Sequence, residues 1–160
     1  MSDLHPAVLT SSNLLQVIQS YKADNKKIVF TNGCFDLLHI GHIRYLRQAK
    51  KLADVLIVGV NTDRSVQKIK GPTRPIQNEN DRAEILVSLK AVDHTILFDE
   101  DTPLELIKKI KPNFLVKGGD WKITEIVGSE FVLSYGGTVQ PLQFVADRSS
   151  TSLIQKSKNN

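Results

Sequence analysis

The stretch that decides the fold is residues 28–63, "IVFTNGCFDLLHIGHIRYLRQAKKLADVLIVGVNTD". A short apolar run ends in Thr31-Asn32-Gly33, and two histidines follow, His39 and His42, spaced His-x-Gly-His. A helix predicted over 40–52 turns Ile43, Leu46 and Ala49 to one side and Arg44, Arg47 and Lys50 elsewhere. A second apolar run occupies 55–61. Apolar run, turn residues, helical period and apolar run again make a β-α-β unit.

Working outward, runs at 27–31, 55–61, 94–98, 114–118 and 138–145 read as strands. Most are continuous rather than alternating, as a sheet covered on both faces requires. Pro141 puts the last strand at an edge, where its missing N–H costs no ladder bond. Helical patterns lie between them. Residues 13–22 carry Leu14, Ile18 and Tyr21 on one face, and 79–90 carry Ile85, Leu86 and Leu89. The helix at 102–110 opens with a Thr cap and a Pro, and Gly136-Gly137 stops the next. This order predicts an α/β fold with a doubly wound, five-stranded parallel sheet of Rossmann-like type. One domain over 27–156 is expected, with 1–26 as a helical extension and 157–160 as a frayed tail.

The 160 residues suffice for one domain with a proper core. A net charge of +4 is too slight to argue for nucleic acid, and no apolar run reaches the ~20 residues that cross a bilayer. Residues 1–16 lack the basic-then-apolar pattern of a signal peptide. The single cysteine, Cys34, cannot pair internally and suits a reducing cytoplasm.

Ligands of open α/β sheets bind at the carboxyl ends of strands, where residues 31–42 should lie. A helix starting near His39–Gly41 offers unpaired N–H groups and the positive end of its dipole to a phosphate. Gly33 and Gly41 permit close approach, and two histidines three residues apart share one helical face and can both donate. Neither the dinucleotide nor the P-loop glycine fingerprint is present. No third ligand type accompanies the histidines, so no protein-held metal is expected. The residues describe a phosphate-binding turn built on imidazoles; the alternative is a cap and a packed surface histidine.

"TNGCFDLLHIGH" (31–42) resembles the signature of the cytidylyltransferase-like nucleotidyltransferases. The resemblance continues through "GVNTDRSVQKIKGPTRPI", "NDR", "FDEDTPLELI", "PNFLVKGGDW" and "RSSTSLI". Over 27–156 the chain is similar to the heptose 1-phosphate adenylyltransferases, in a stand-alone form without the kinase domain that accompanies them in bifunctional proteins. That resemblance implies attack by a sugar-phosphate oxygen on the α-phosphorus of ATP, with pyrophosphate released and an ADP-heptose formed for lipopolysaccharide core or surface glycan. It further implies Mg²⁺ carried with ATP, a separate heptose kinase in the pathway, and a homodimer. A phosphate monoester is largely dianionic at neutral pH, so the nucleophile needs no general base. Catalysis can then be positioning and charge neutralisation.

By the resemblance, His39 and His42 contact the triphosphate, and Thr31, Asn32, Gly33, Phe35, Asp36 and Gly41 line the adjoining strand end. Asp36 could equally cap a turn. Lys68, Lys70 and Arg74, around Gly71-Pro72, read as a basic loop that holds the acceptor phosphate or reaches ATP, with Lys70 foremost; a solvated loop is the alternative. Arg82 opposes the dipole at its helix start, which favours a reason other than helix stability; it stands where the resembled family has an arginine, which implies a nucleotide contact, and a salt bridge to Glu79 or Asp81 is an equal alternative. Lys117, Gly118, Gly119 and Asp120 frame the nucleotide, while Trp121 covers a base or sugar or simply fills space. Ser150-Thr151-Ser152 resembles the family's hydroxyl turn at the triphosphate; ordinary N-capping competes. Two further functions remain open: a cytidylyltransferase for glycerol 3-phosphate or a similar phospho-alcohol, and a non-catalytic nucleotide sensor. A tRNA synthetase shares "HIGH" but needs a "KMSKS"-like loop that this chain lacks.

Overall fold

The structure is a computed structural model that describes residues 4–143 and 150–158. Six strands form one parallel sheet: β1 (Val8–Leu9), β2 (Ile28–Gly33), β3 (Val55–Asn61), β4 (His94–Phe98), β5 (Phe114–Gly118) and β6 (Thr138–Leu142). Their spatial order is β1-β4-β3-β2-β5-β6. The helices are α1 (Leu14–Ala23), α2 (Ile40–Lys50), α3 (Asp63–Lys70), α4 (Glu79–Val87), α5 (Leu104–Ile110), α6 (Ser129–Ser134) and α7 (Ser150–Lys158), with a short 3₁₀ turn at Ile123–Glu125.

The sixth strand corrects the expected five. Val8 and Leu9 pair with Thr95 and Ile96 of β4, a strand too short to carry any period of its own. Residues 4–26 are therefore joined to the domain rather than appended to it: Leu9, Leu14 and Ile18 are all buried in its core. At the other edge, β6 pairs with β5 and puts Pro141 opposite Lys117, where a missing N–H is tolerated. Residues 144 and 145, expected to extend β6, lie outside the described residues, as do 159 and 160 of the expected frayed tail; Ser157 and Lys158 belong to α7.

Alternate residues of the strands supply two hydrophobic layers, because successive side chains point to opposite faces. Ile28, Phe30, Ile57 and Leu115 pack with Leu14 and Ile18 of α1 and with Leu106, Ile107 and Ile110 of α5. Val29, Leu56, Val58 and Val116 pack with Tyr45, Leu46 and Ala49 of α2 and with Leu86 of α4. Helices on both faces explain why the strand sequences are continuous apolar runs. From β2 the chain winds to β3 and β4 on one side, then returns to β5 on the other. The carboxyl ends of β2 and β5 thus flank the switch point, where an open α/β sheet leaves a crevice.

Candidate active site

At that crevice lies a cleft of about 200 Å³. β2 and the loop after it contribute Asn32, Gly33, Cys34, Phe35 and Asp36; α2 contributes His42 and Tyr45. Lys70 enters from the end of α3, and Lys117, Gly118 and Trp121 from the end of β5. Nine residues singled out in the sequence converge here; Cys34 and Tyr45 were not among them. Tyr45 could have been found, since it stands three residues beyond His42 and so on the same helical face.

The loop turns sharply. Phe35 has φ +47°, a left-handed conformation that costs a non-glycine residue of order 1 kcal/mol. Gly33 accommodates the result: a Cβ there would stand 3.0 Å from the Phe35 ring. The ring meets His42 edge-on, centroids 5.4 Å apart, and His42 stacks against His39 at 3.9 Å.

The histidines cap their own helix. Nδ1 of His39 accepts from the Gly41 N–H at 3.1 Å, and Nδ1 of His42 accepts from the His39 N–H at 3.3 Å. The N–H groups of His42 and Ile43 go to the His39 carbonyl. The expectation that backbone amides such as that of Gly41 meet the phosphate is thereby corrected, because these donors have internal acceptors. An Nδ1 that accepts must be unprotonated, so each neutral ring carries its proton on Nε2. Each imidazole takes up a backbone donor on Nδ1 and so carries its own donor on Nε2. Burial, then the neighbouring His39 and Lys70, push His42 down to about 4, so it is neutral at pH 7.

Positive charge in the cleft comes from lysines. Lys70 is close enough to disfavour protonation of His42. Lys117 is pushed down by burial and has its Nζ 6.0 Å from the centre of the Trp121 ring. The cleft's carboxylate is committed: Asp36 accepts from Arg74 Nε at 2.5 Å and from the N–H groups of Ile76 and Gln77 at 2.8 and 3.1 Å. Burial pushes its pKa up, but these three partners outweigh it and hold the carboxyl below its usual range. Asp36 is a tether for residues 74–77. Among the described residues no group of three or more His, Cys, Asp or Glu converges as metal ligands.

Other expected residues are placed elsewhere. Lys68 and Lys70 lie in the last turn of α3 and not in a loop. Two residues along a helix are about 200° apart, so they face opposite ways. Lys68 pairs with Asp101 at 3.0 Å and borders a different cleft of about 790 Å³. Arg74 is tied to Asp36, and its buried Nη2 has no hydrogen-bond partner among the described residues. Arg82 is wholly buried. Its guanidinium donates to the carbonyls of Gln77, Cys34 and Asn61 and to Asp63, at 2.5–3.0 Å. It is neither exposed to a nucleotide nor paired with Glu79 or Asp81. Thr31 is also buried, its hydroxyl 2.5 Å from that of Tyr45. Gly119 has φ +113° and donates to the Leu142 carbonyl, while Asp120 is exposed. Ser150, Thr151 and Ser152 begin α7, but the side chains of the first two lie outside the described residues.

A second cleft of about 110 Å³ adjoins the first and shares Asn32, Lys117 and Trp121 with it. No helix among the described residues is long and apolar enough to cross a membrane.

The family described as cytidylyltransferase-like matches residues 30–156. The chain is 50% identical over 155 residues to the bifunctional protein HldE of Geobacter metallireducens, covering 97% of this chain and 32% of that protein. It is 54% identical over 140 residues to the HldE of a Caulobacter species, covering 88% and 29% respectively. The chain thus spans about a third of the length of these curated relatives. Among solved structures, the lipopolysaccharide core biosynthesis protein of Thermoplasma volcanium superposes with a TM-score of 0.60 at 33% identity, over 75% of this chain and 97% of that one.

Proposed function

This chain belongs to the cytidylyltransferase-like family, and from that premise we propose that it adenylylates a heptose 1-phosphate. An oxygen of the sugar phosphate attacks the α-phosphorus of ATP. The bond from that phosphorus to the β-phosphate oxygen breaks, and pyrophosphate leaves with the electron pair. The product is an ADP-heptose for lipopolysaccharide core or surface glycan. One observation carries the reading: His42 lines a cleft at the switch point beside Lys70, His39 stacks on it, and the Nδ1 of each ring is held by a backbone N–H group.

His39 and His42 donate from Nε2 to the leaving phosphates, and Lys70 and Lys117 supply the positive charge. Neither ring can act as a base or nucleophile, because its lone pair on Nδ1 is engaged and its Nε2 is protonated. None is needed, since the acceptor phosphate is already mostly dianionic. Mg²⁺ fits as an ion held mainly by the nucleotide's own oxygens and water, since Asp36 is already tied to Arg74, Ile76 and Gln77.

The acceptor's class is supported by the sequence likeness to heptose 1-phosphate adenylyltransferases and by the half-identity to bifunctional HldE proteins. The Thermoplasma protein's role in lipopolysaccharide core biosynthesis agrees with a sugar product. The reading extends to a heptose kinase activity as supplier of the acceptor and to a homodimer, both from that likeness, and to the cytoplasm, which suits the single Cys34.

The test is pyrophosphate release by purified protein given ATP or CTP with heptose 1-phosphate, mannose 1-phosphate or glycerol 3-phosphate. Turnover with ATP and heptose 1-phosphate is expected. Preference for CTP and glycerol 3-phosphate would replace this reading with the cytidylyltransferase one, and tight nucleotide binding without any turnover would leave a sensor.

A further inference from the structure

The smaller of the two adjoining clefts has a chemistry of its own. It meets the phosphate cleft along Asn32, Lys117 and Trp121, and no residue of α2 or α3 lines it. It therefore continues the phosphate cleft beyond the shared residues without touching His42 or Lys70. In a displacement at phosphorus the attacking and leaving oxygens lie roughly in line. With pyrophosphate leaving toward the histidines, the nucleophile must enter across the shared residues, from the direction of this second cleft.

Beyond the shared residues the cleft carries one ionisable group, Glu125, among apolar side chains that include Ile126 and Val127. Glu125 is exposed; its Oε2 accepts from the Lys122 N–H at 3.3 Å, and its Oε1 has no partner among the described residues. A carboxylate repels phosphate and accepts hydrogen bonds, so it suits hydroxyl groups. Trp121 has already given its indole N–H to the Gly118 carbonyl at 3.0 Å, and is 43% exposed. What remains is an apolar face at the cleft mouth, the complement of the C–H face of a sugar ring.

We propose that this cleft is the acceptor-sugar subsite, with Glu125 accepting ring hydroxyls, Trp121 carrying the sugar's C–H face and Lys117 gripping the acceptor phosphate at the junction. The proposal rests on the adenylyltransferase reading and assigns its specificity to the segment 121–127.

Two variants test it, Glu125→Ala and Val127→Phe, the second narrowing the cleft from an exposed position. The KM for heptose 1-phosphate is measured by pyrophosphate release, the Kd for ATP by calorimetry, and folding by thermal melts. Losing a hydrogen bond to a charged group corresponds to about tenfold or more in affinity. Both variants should raise the KM for heptose 1-phosphate by at least about that factor, with unchanged melts and an unchanged Kd for ATP. Weakened ATP binding with an unaltered acceptor KM would give the cleft to the base and overturn the proposal. No change in either constant would overturn it too. Wild-type protein that binds ATP but converts no sugar 1-phosphate would remove the adenylyltransferase reading itself, and the subsite with it; that failure appears before any substitution is made.

Discussion

Among single residues, His42 carries the most. Its Nδ1 is held by the His39 N–H, so in the proposed reaction the Nε2–H would stabilise developing charge without moving or changing protonation. His42→Ala should lower kcat by about a hundredfold or more, the usual cost of one such donor. His39→Ala should behave similarly, and the double variant should lose less than the product of the two, since their rings stack and serve one group. Near-normal turnover in His42→Ala would refute the role. Acidity supplies a second test. Folding pushes His42 down to about 4, chiefly by burial, whereas the unfolded chain titrates near 6.5. Between those values the unfolded state binds a proton that the native state does not, so this group makes stability fall as pH falls through that window. Urea unfolding at pH 7 and pH 5 should show a smaller loss in His42→Asn than in the wild type. Lys70 shares the same cleft, so Lys70→Ala should raise the KM for ATP and lower kcat together. A rise confined to the sugar-phosphate KM would return Lys70 to the acceptor side, the other role the sequence left open.

At the level of elements, the cleft is held open by long-range polar ties. Arg82 of α4 binds the carbonyls of Cys34 and Asn61, after and within β2's and β3's ends, and reaches Asp63 at the start of α3. The Thr31–Tyr45 bond fixes α2 on β2, and Asp36 tethers residues 74–77. Removing one partner of a buried charged network leaves others unpaired, typically costing about 3 kcal/mol or more. Arg82→Ala should therefore depress the melting temperature sharply, with activity lost in proportion to folded protein. An unchanged melt with a raised ATP KM would instead support the nucleotide contact suggested by the sequence. Tyr45→Phe leaves Thr31 without its partner and should cost about 1–3 kcal/mol, read from urea unfolding. These ties explain which residues misled the sequence reading. Arg82 is a cation ill-suited to a helix start, but apart from the Gln77 carbonyl its acceptors, on Asp63, Asn61 and Cys34, lie 19, 21 and 48 residues away. No local pattern encodes them. Lys68 and Lys70 are adjacent in reading yet opposite on a helical turn, a distinction lost once the segment is taken for a loop.

For the molecule as a whole, the doubly wound sheet was legible because both faces are covered and its strands are unbroken apolar runs. The edge strand Val8–Leu9 was not, since two residues cannot declare a period and its place depends on β4. The position of the cleft followed from topology, and its histidines from their spacing, whereas the second cleft arises from the packing of 121–127 against β5 and leaves no sequence signature. In the proposed reaction the protein positions and neutralises but forms no bond to the substrate. Both histidine lone pairs that could attack phosphorus are engaged by backbone N–H groups, so the sugar phosphate must attack directly. The decisive measurement is the stereochemistry at the α-phosphorus, with one diastereomer of adenosine 5′-(α-thio)triphosphate and heptose 1-phosphate as substrates. A single in-line attack requires inverted configuration in the thio-ADP-heptose product; retention, which needs a covalent enzyme intermediate, or the absence of that product, would contradict it.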